Sequence, residues 1–243
     1  MIRTSHLNKY FGTFRAVNDL NIEINAGELF CFLGPNGAGK TTTIKMLCGL
    51  LRPTAGDIEI AGVNLSSDPL SIRRQCGYIP DQPFLYERLT PVEYCEFICD
   101  LFRMPLQEAR NEMNHYFELL DLNDYRTHLI KELSHGLRQR LLYAATLIHR
   151  PNVIFVDEPF VGLDPYSIRT IRSLLREQAK RGATIFLTTH ILSLAEELAD
   201  RIAIIHQGSL VDCGTLKELK QRHSSEGSLE DVFLNLTVTK KPS

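Results

Sequence analysis

Gly34-Pro35-Asn36-Gly37-Ala38-Gly39-Lys40-Thr41 fills every fixed position of the phosphate-binding pattern G-x-x-x-x-G-K-[ST]. Its glycines let the backbone curl until successive N–H groups face phosphate oxygens, beside a helix N-terminus that favours anions. Lys40 would reach the β- and γ-phosphates, and the Thr41 hydroxyl would ligate Mg²⁺. Asn36, Ala38 and Thr42 complete the expected cradle. The chemistry implied is capture of a nucleoside triphosphate.

Two acids make a second constellation. Val153-Ile154-Phe155-Val156 is a continuous apolar run and ends in Asp157-Glu158. Ligands bind at the carboxyl ends of parallel strands, which is where a Mg²⁺-organising acid belongs. Asp157 would hold Mg²⁺ through water, and Glu158 would polarise the attacking water as general base.

These residues need strands and helices to hold them. Glu28 to Leu33 reads as a buried strand before the loop, and Thr42 to Leu51 as a helix behind it. Ile2 to Leu7 and Leu20 to Asn25 read as two strands of a small antiparallel sheet, with Lys9-Tyr10-Phe11-Gly12 between them. Arg52 to Asp57 is a turn, Ile58-Glu59-Ile60 a short strand, and Gly77 to Pro80 a strand end. Thr90 to about Leu122 is a helical block, opened by a threonine cap and Pro91. Helix is expected over Gly136–His149, Ser167–Lys180 and Ile191–Ala199, with strands at Ala183–Thr188, Arg201–His206 and Ser209–Cys213. Gln207-Gly208 joins the last two as a hairpin turn. Leu229 to Leu234 reads as a short amphipathic helix, and Thr239 to Ser243 as a frayed end. The alternation of strands and helices gives an α/β fold with a layered, mainly parallel sheet.

Composition narrows the class. An apolar share of 44% and a net charge of −2 over 243 residues describe a globular domain without an electrostatic footprint for nucleic acid, so no nucleic-acid partner is expected. No apolar run approaches the ~18 residues of a membrane span, and the N-terminus lacks a signal-peptide core, so a cytoplasmic location is expected. Six cysteines at 31, 48, 76, 95, 99 and 213 mostly sit in apolar segments, as buried free thiols in a reducing compartment do. Cys95 and Cys99 lack nearby histidines and make a poor zinc site.

Leu133-Ser134-His135-Gly136-Leu137 closely resembles the signature of the ATP-binding cassette family, the nucleotide-binding subunits of ABC transporters. It matches Leu-Ser-Gly-Gly-Gln at Leu133, Ser134 and Gly136 and departs from it at His135 and Leu137. His135 retains its backbone N–H, whereas Leu137 removes an amide that can approach the ribose. The resemblance spans residues 2 to about 236. It implies a P-loop NTPase fold: a RecA-like sheet, an N-terminal antiparallel β subdomain and an inserted helical subdomain at about 84–150. The ATP-binding domain would occupy 1–222, followed by a tail at 223–243 carrying the amphipathic helix. It also implies ATP and Mg²⁺ as ligands. Gln82 would sense the γ-phosphate through Mg²⁺ or water and contact the membrane partner. His190 would contact the γ-phosphate, and Phe11 would stack on adenine, with neighbouring Tyr10 the second choice. Gly162-Leu163-Asp164 would form the loop that crosses a dimer interface. In such a dimer, Ser134 and Gly136 of one subunit close over the nucleotide held by Gly34–Thr42 and Glu158 of the other. The partner cassette is a second copy or a paralogue.

Ser228 to Leu236 resembles the ending of exporter-type cassettes, which serve a separate membrane permease and attach through it to the inner face of the membrane. The alternative is a cassette used as an assembly or binding module without transport. A small-molecule kinase would need an acceptor pocket where the Leu133–Gly136 helix end stands.

Overall fold

The computed structural model describes residues 2–160, 163–223 and 228–238. Five apolar runs form the middle of the molecule. β1 (Ile2–Phe11) and β2 (Phe14–Ile24) precede β3 (Leu29–Leu33), which leads into α1 (Lys40–Leu47). β4 (Ala55–Ile60), β5 (Val63–Asn64), α2 (Pro69–Gln75) and β6 (Cys76–Ile79) follow. The helical block is α3 (Pro91–Leu101), α4 (Leu106–Leu119) and α5 (His135–Leu147). β7 (Val153–Asp157), α6 (Pro165–Lys180), β8 (Thr184–Thr189), α7 (Leu192–Leu198), β9 (Arg201–His206), β10 (Ser209–Gly214), α8 (Leu216–Arg222) and α9 (Leu229–Val238) complete the described chain.

The larger sheet has the order β10-β9-β3-β8-β7-β6, with only β10 antiparallel. β3, β7 and β8 are buried at every residue, as strands covered on both faces must be. Their register decides where chemistry can occur. Leu33 lies opposite Thr189, and Asp157 opposite Thr188, so the carboxyl ends of β3, β8 and β7 finish side by side. Two apolar clusters sit on the two faces of this sheet: one against α3 to α7, the other under the smaller sheet, α1 and α2.

The smaller sheet is antiparallel, in the order β2-β1-β4-β5. Its first two strands are longer than the apolar pattern suggests, because the pairing slips between Thr4 and Leu7 and again before Lys9 and Tyr10. His6 and Asp19 adopt left-handed backbone at these irregularities. Each slip resets the alternation of side chains, so the polar stretches look like connections when they are strand. Tyr10 and Phe11 therefore stand at the tip of a hairpin that turns at Gly12.

The helical block expected from Thr90 to about Leu122 consists of two helices. α3 begins with a full Thr90/Glu93 capping box and Pro91. It ends before left-handed Arg103, and α4 starts after Pro105, a residue that a continuous helix cannot accommodate. α2 and α8 were not expected; each is seven residues long, too short to show a clear helical period. Thr215 and Glu218 nonetheless form a capping box at α8. α9 docks through fully buried Leu229 and Val232. The expected fraying at 239–243 and the position of Gly162 lie outside the described residues.

Candidate functional site

β3 delivers the chain to Gly34, whose N–H donates to Thr189 O at 3.2 Å. A Cβ on Gly34 would come within 2.5 Å of Ile205 O, and one on Gly39 within 2.5 Å of Ala16 O. Gly39 also has a φ of 103°, so this loop can follow its path only with glycine there. α1 begins at Lys40, two residues earlier than expected, and has no side-chain cap. Its first turn therefore leaves backbone donors for whatever the loop encloses.

Lys40 is buried, and its Nζ donates to Gly34 O at 2.8 Å and Pro35 O at 3.2 Å. It also lies 3.3 Å from Glu158 Oε1, in an ion pair whose side chains are 7% and 14% exposed. Glu158 Oε2 accepts from His190 Nδ1 at 3.0 Å. Lysine, glutamate and histidine thus form one chain across the ends of β3, β7 and β8.

Glu158 sits in left-handed backbone at φ 46°, an arrangement that side chains other than glycine rarely adopt. Its N–H donates to Thr188 O at 3.1 Å and Thr188 Oγ1 at 3.3 Å, and these bonds hold the turn. Strain of this kind recurs at functional sites. Here it aims a carboxylate back over the phosphate loop.

Asp157 is 1% exposed. Its Oδ1 accepts from Thr188 Oγ1, with Thr41 Oγ1 3.5 Å away. Burial pushes the Asp157 carboxyl up; the two threonine hydroxyls oppose the shift, and the charges of Asp81 and Glu158 add to it. Oδ2 is buried without a protein partner. A desolvated carboxylate with an idle oxygen next to the Thr41 hydroxyl suits a hard, oxygen-ligated cation.

Asn36, Gln82, Glu158 and His190 line one open cleft of about 810 Å³. Leu133, His135 and Arg138 line it as well. Gln82 follows Asp81, whose Oδ1 accepts the Gln82 N–H at 2.9 Å. Ser134 caps α5 by accepting from Leu137 N–H at 3.3 Å. Gly136 faces Asp164: a Cβ there would be 3.7 Å from Asp164 Oδ2. Asp164 in turn caps α6, accepting from Ser167 N–H at 3.0 Å and Ser167 Oγ at 2.6 Å. Gly136 and Asp164 are therefore brought together beside Ser134, on a helix end whose Leu133, His135 and Arg138 share the cleft with Glu158 and His190.

Phe11 is 49% exposed at its hairpin tip, with Lys9 Nζ 5.1 Å from its ring centre. Tyr10 is also exposed and carries the Arg15 guanidinium at 5.6 Å. Ala38 is buried within the loop and Thr42 half-buried behind it, while Thr41 and Gly37 are exposed. Sequence reasoning missed Thr188, which positions both acids, and Arg138. The Thr188-Thr189 pair before His190 was the available signal for the first.

The six cysteines are free. Burial raises their thiols, Cys99 to about 11 and Cys76 to about 12, so they are inert at neutral pH.

The profile of the ABC transporter family matches residues 17–161. The bacitracin transport ATP-binding protein BcrA of Bacillus licheniformis is 39% identical over 224 residues, which cover 92% of this chain and 72% of that protein. A solved ATP-binding subunit of an ABC transporter superposes with a TM-score of 0.92 at 31% identity, over 97% of this chain and 99% of the other. A dimeric ATP-binding cassette in a post-hydrolysis state, bound to ADP and Pi, superposes with a TM-score of 0.80 at 27% identity, over 88% and 98%.

Proposed function

The chain belongs to the ABC transporter family of ATP-binding subunits, and from that premise we propose how its site binds and hydrolyses ATP to drive a separate membrane permease, as an exporter. The observation that carries the reading is the Lys40–Glu158–His190 chain at the mouth of the phosphate loop.

Gly34 to Thr42 cradle the phosphates of ATP, and Phe11 stacks on the base. The acceptors now holding Lys40 Nζ are two loop carbonyls and Glu158. A γ-phosphate carries more negative charge than these and draws the ammonium to itself. Glu158 is then released as the base that takes a proton from the attacking water, with His190 keeping the carboxylate oriented. His190 and Gln82, on the same cleft, contact the γ-phosphate end. Thr41, Gln82 and, through water, Asp157 would hold Mg²⁺, supported by the idle Oδ2 of Asp157. When bound, Mg²⁺ neutralises charge developing on the β- and γ-oxygens.

The site is completed in trans. Ser134 and Gly136 of a second cassette, the same chain or a paralogue, close over the nucleotide, and Asp164 crosses the interface. The dimeric state of the ADP- and Pi-bound relative supports this arrangement. The permease docks beside the Gln82 loop, where exposed Phe84 and Tyr86 adjoin an apolar groove lined by Tyr94, Ile98 and Phe102. No helix among the described residues is long and apolar enough to cross a membrane, so we place the chain on the inner membrane face through that partner. The transport role is supported by the name of BcrA, a bacitracin transport ATP-binding protein, and the export direction by the resemblance of the tail that carries α9 to the endings of exporter-type cassettes.

Co-purification tests this reading. Tagged Glu158→Gln protein, incubated with ATP and Mg²⁺ in detergent-solubilised membranes, should bring down one multi-span membrane protein. Recovery of soluble partners alone would overturn the transport reading.

A further inference from the structure

Helix N-termini favour acidic residues, yet the first turn of α5 has none. It carries His135, and Arg138 follows within one turn, where the helix dipole repels a cation. Something must compensate. The Arg138 guanidinium donates through Nε to Leu133 O at 3.1 Å, through Nη2 to Lys131 O at 2.7 Å and through Nη1 to Glu87 Oε1 at 3.2 Å. Its side chain is only 28% exposed. An ordinary surface arginine keeps its head in water; this one turns every arm of its fork onto a protein acceptor.

The acceptors belong to two segments distant in sequence. Lys131 and Leu133 lie in the approach to Ser134, whereas Glu87 lies in the stretch that follows Gln82 and Phe84. Backbone bonds join the same two segments: Ile130 N–H donates to Leu89 O at 2.9 Å and Lys131 N–H to Glu87 O at 3.1 Å. The cap on α5, by comparison, is a single 3.3 Å bond to Ser134 Oγ. The direction of the helix end is therefore set more firmly by Arg138 than by its own cap.

We propose that Arg138 is a positioning residue. Its planar fork holds the Leu133–Gly136 helix end at the angle from which it meets nucleotide bound to a second cassette. Through Glu87 it also makes the Gln82 loop and that helix end one body. The inference rests on the ATP-sandwich reading above. Lysine cannot replace arginine here, because one ammonium cannot span three acceptors fixed in a plane.

The test uses the Glu158→Gln background, in which an ATP-bound dimer should persist long enough to weigh by sedimentation equilibrium. Two quantities are measured, ATP affinity at protein concentrations where the chain is monomeric, and the dimer dissociation constant in saturating ATP and Mg²⁺. Arg138→Met should leave the first within about twofold and weaken the dimer about tenfold, as expected when a charge-assisted bond is lost at each of two sites. Arg138→Lys should remain impaired although it keeps the charge. Glu87→Gln, an exposed change with little risk to folding, should weaken the dimer by about threefold.

Unchanged dimerisation in both Arg138→Met and Glu87→Gln overturns the proposal, and so does full rescue by lysine. A loss of monomer ATP affinity equal to the dimer loss would place Arg138 in its own subunit's site and overturn it as well. If the Glu158→Gln parent itself stays monomeric, the sandwich reading fails and takes this inference with it.

Discussion

The two halves of the proposed catalytic surface are built on opposite plans. At the ends of the central strands, Glu158 is ion-paired with Lys40 and hydrogen-bonded to His190, and Thr188 fastens both acids from the neighbouring strand. At the start of α5, Ser134 accepts from Leu137 N–H and Gly136 faces Asp164 and Leu163, while Arg138 ties the helix end to the preceding loops. In the mechanism proposed above, ATP would draw Lys40 out of the first region's ion pair. The second presents a helix end whose partner lies outside the chain. A site divided in this way can bind nucleotide in one subunit and still wait for another before it turns over.

Substitutions can break or sharpen that contrast. Lys40→Ala removes the first region's central charge and should lower hydrolysis by roughly 100-fold or more, measured as phosphate release at saturating ATP. Ser134→Arg should also cut turnover by about 100-fold yet leave ATP binding to the dilute monomer within about twofold. If binding falls in parallel with turnover, the two regions act in one subunit and the contrast is lost. Phe11→Ala should weaken ATP binding about fivefold, the loss of one stacked ring, read by titration calorimetry.

The smallest effect is on stability, and its sign is opposite. Asp157 has a carboxyl pKa raised by burial, so the folded chain binds its proton more tightly than the unfolded chain does. Stability therefore declines as pH rises from the ordinary carboxylate range through the raised value, and the penalty is complete above it. Asp157→Asn should raise the nucleotide-free Tm at neutral pH, while Mg²⁺-dependent ATP binding is lost. A lowered Tm would show that the threonine hydroxyl bonds outweigh desolvation.

The region around Lys40, Glu158 and His190 is largely legible in the sequence alone. Its residues follow continuous apolar strands or precede a helix, and each lies within a few residues of the element that carries it. The same locality explains why β3, β7, β8 and β9 were found. β1 and β2 were truncated because their slips in register interrupt the alternation that marks a half-buried strand. Arg138 was invisible for a different reason. Its acceptors are two main-chain carbonyls and a carboxylate from residue 87, and no spacing in the sequence expresses that meeting. Thr188 was seen only as a neighbour of His190, since its work depends on facing Asp157 across a ladder.

β3 lies between β8 and β9, with Leu29 opposite Ile185 and Phe30 opposite Arg201. The phosphate-loop strand thus has no hydrogen-bonded neighbour from its own half of the chain within its sheet. During synthesis at 5–20 residues per second, the motif would leave the ribosome roughly 10–30 s before the strands that shape it. A nascent or truncated chain ending before β8 would carry the complete phosphate-loop sequence and no binding site. ATP, abundant throughout that interval, would act as a ligand only for chains whose second half has arrived, and so would favour finished molecules over partial ones.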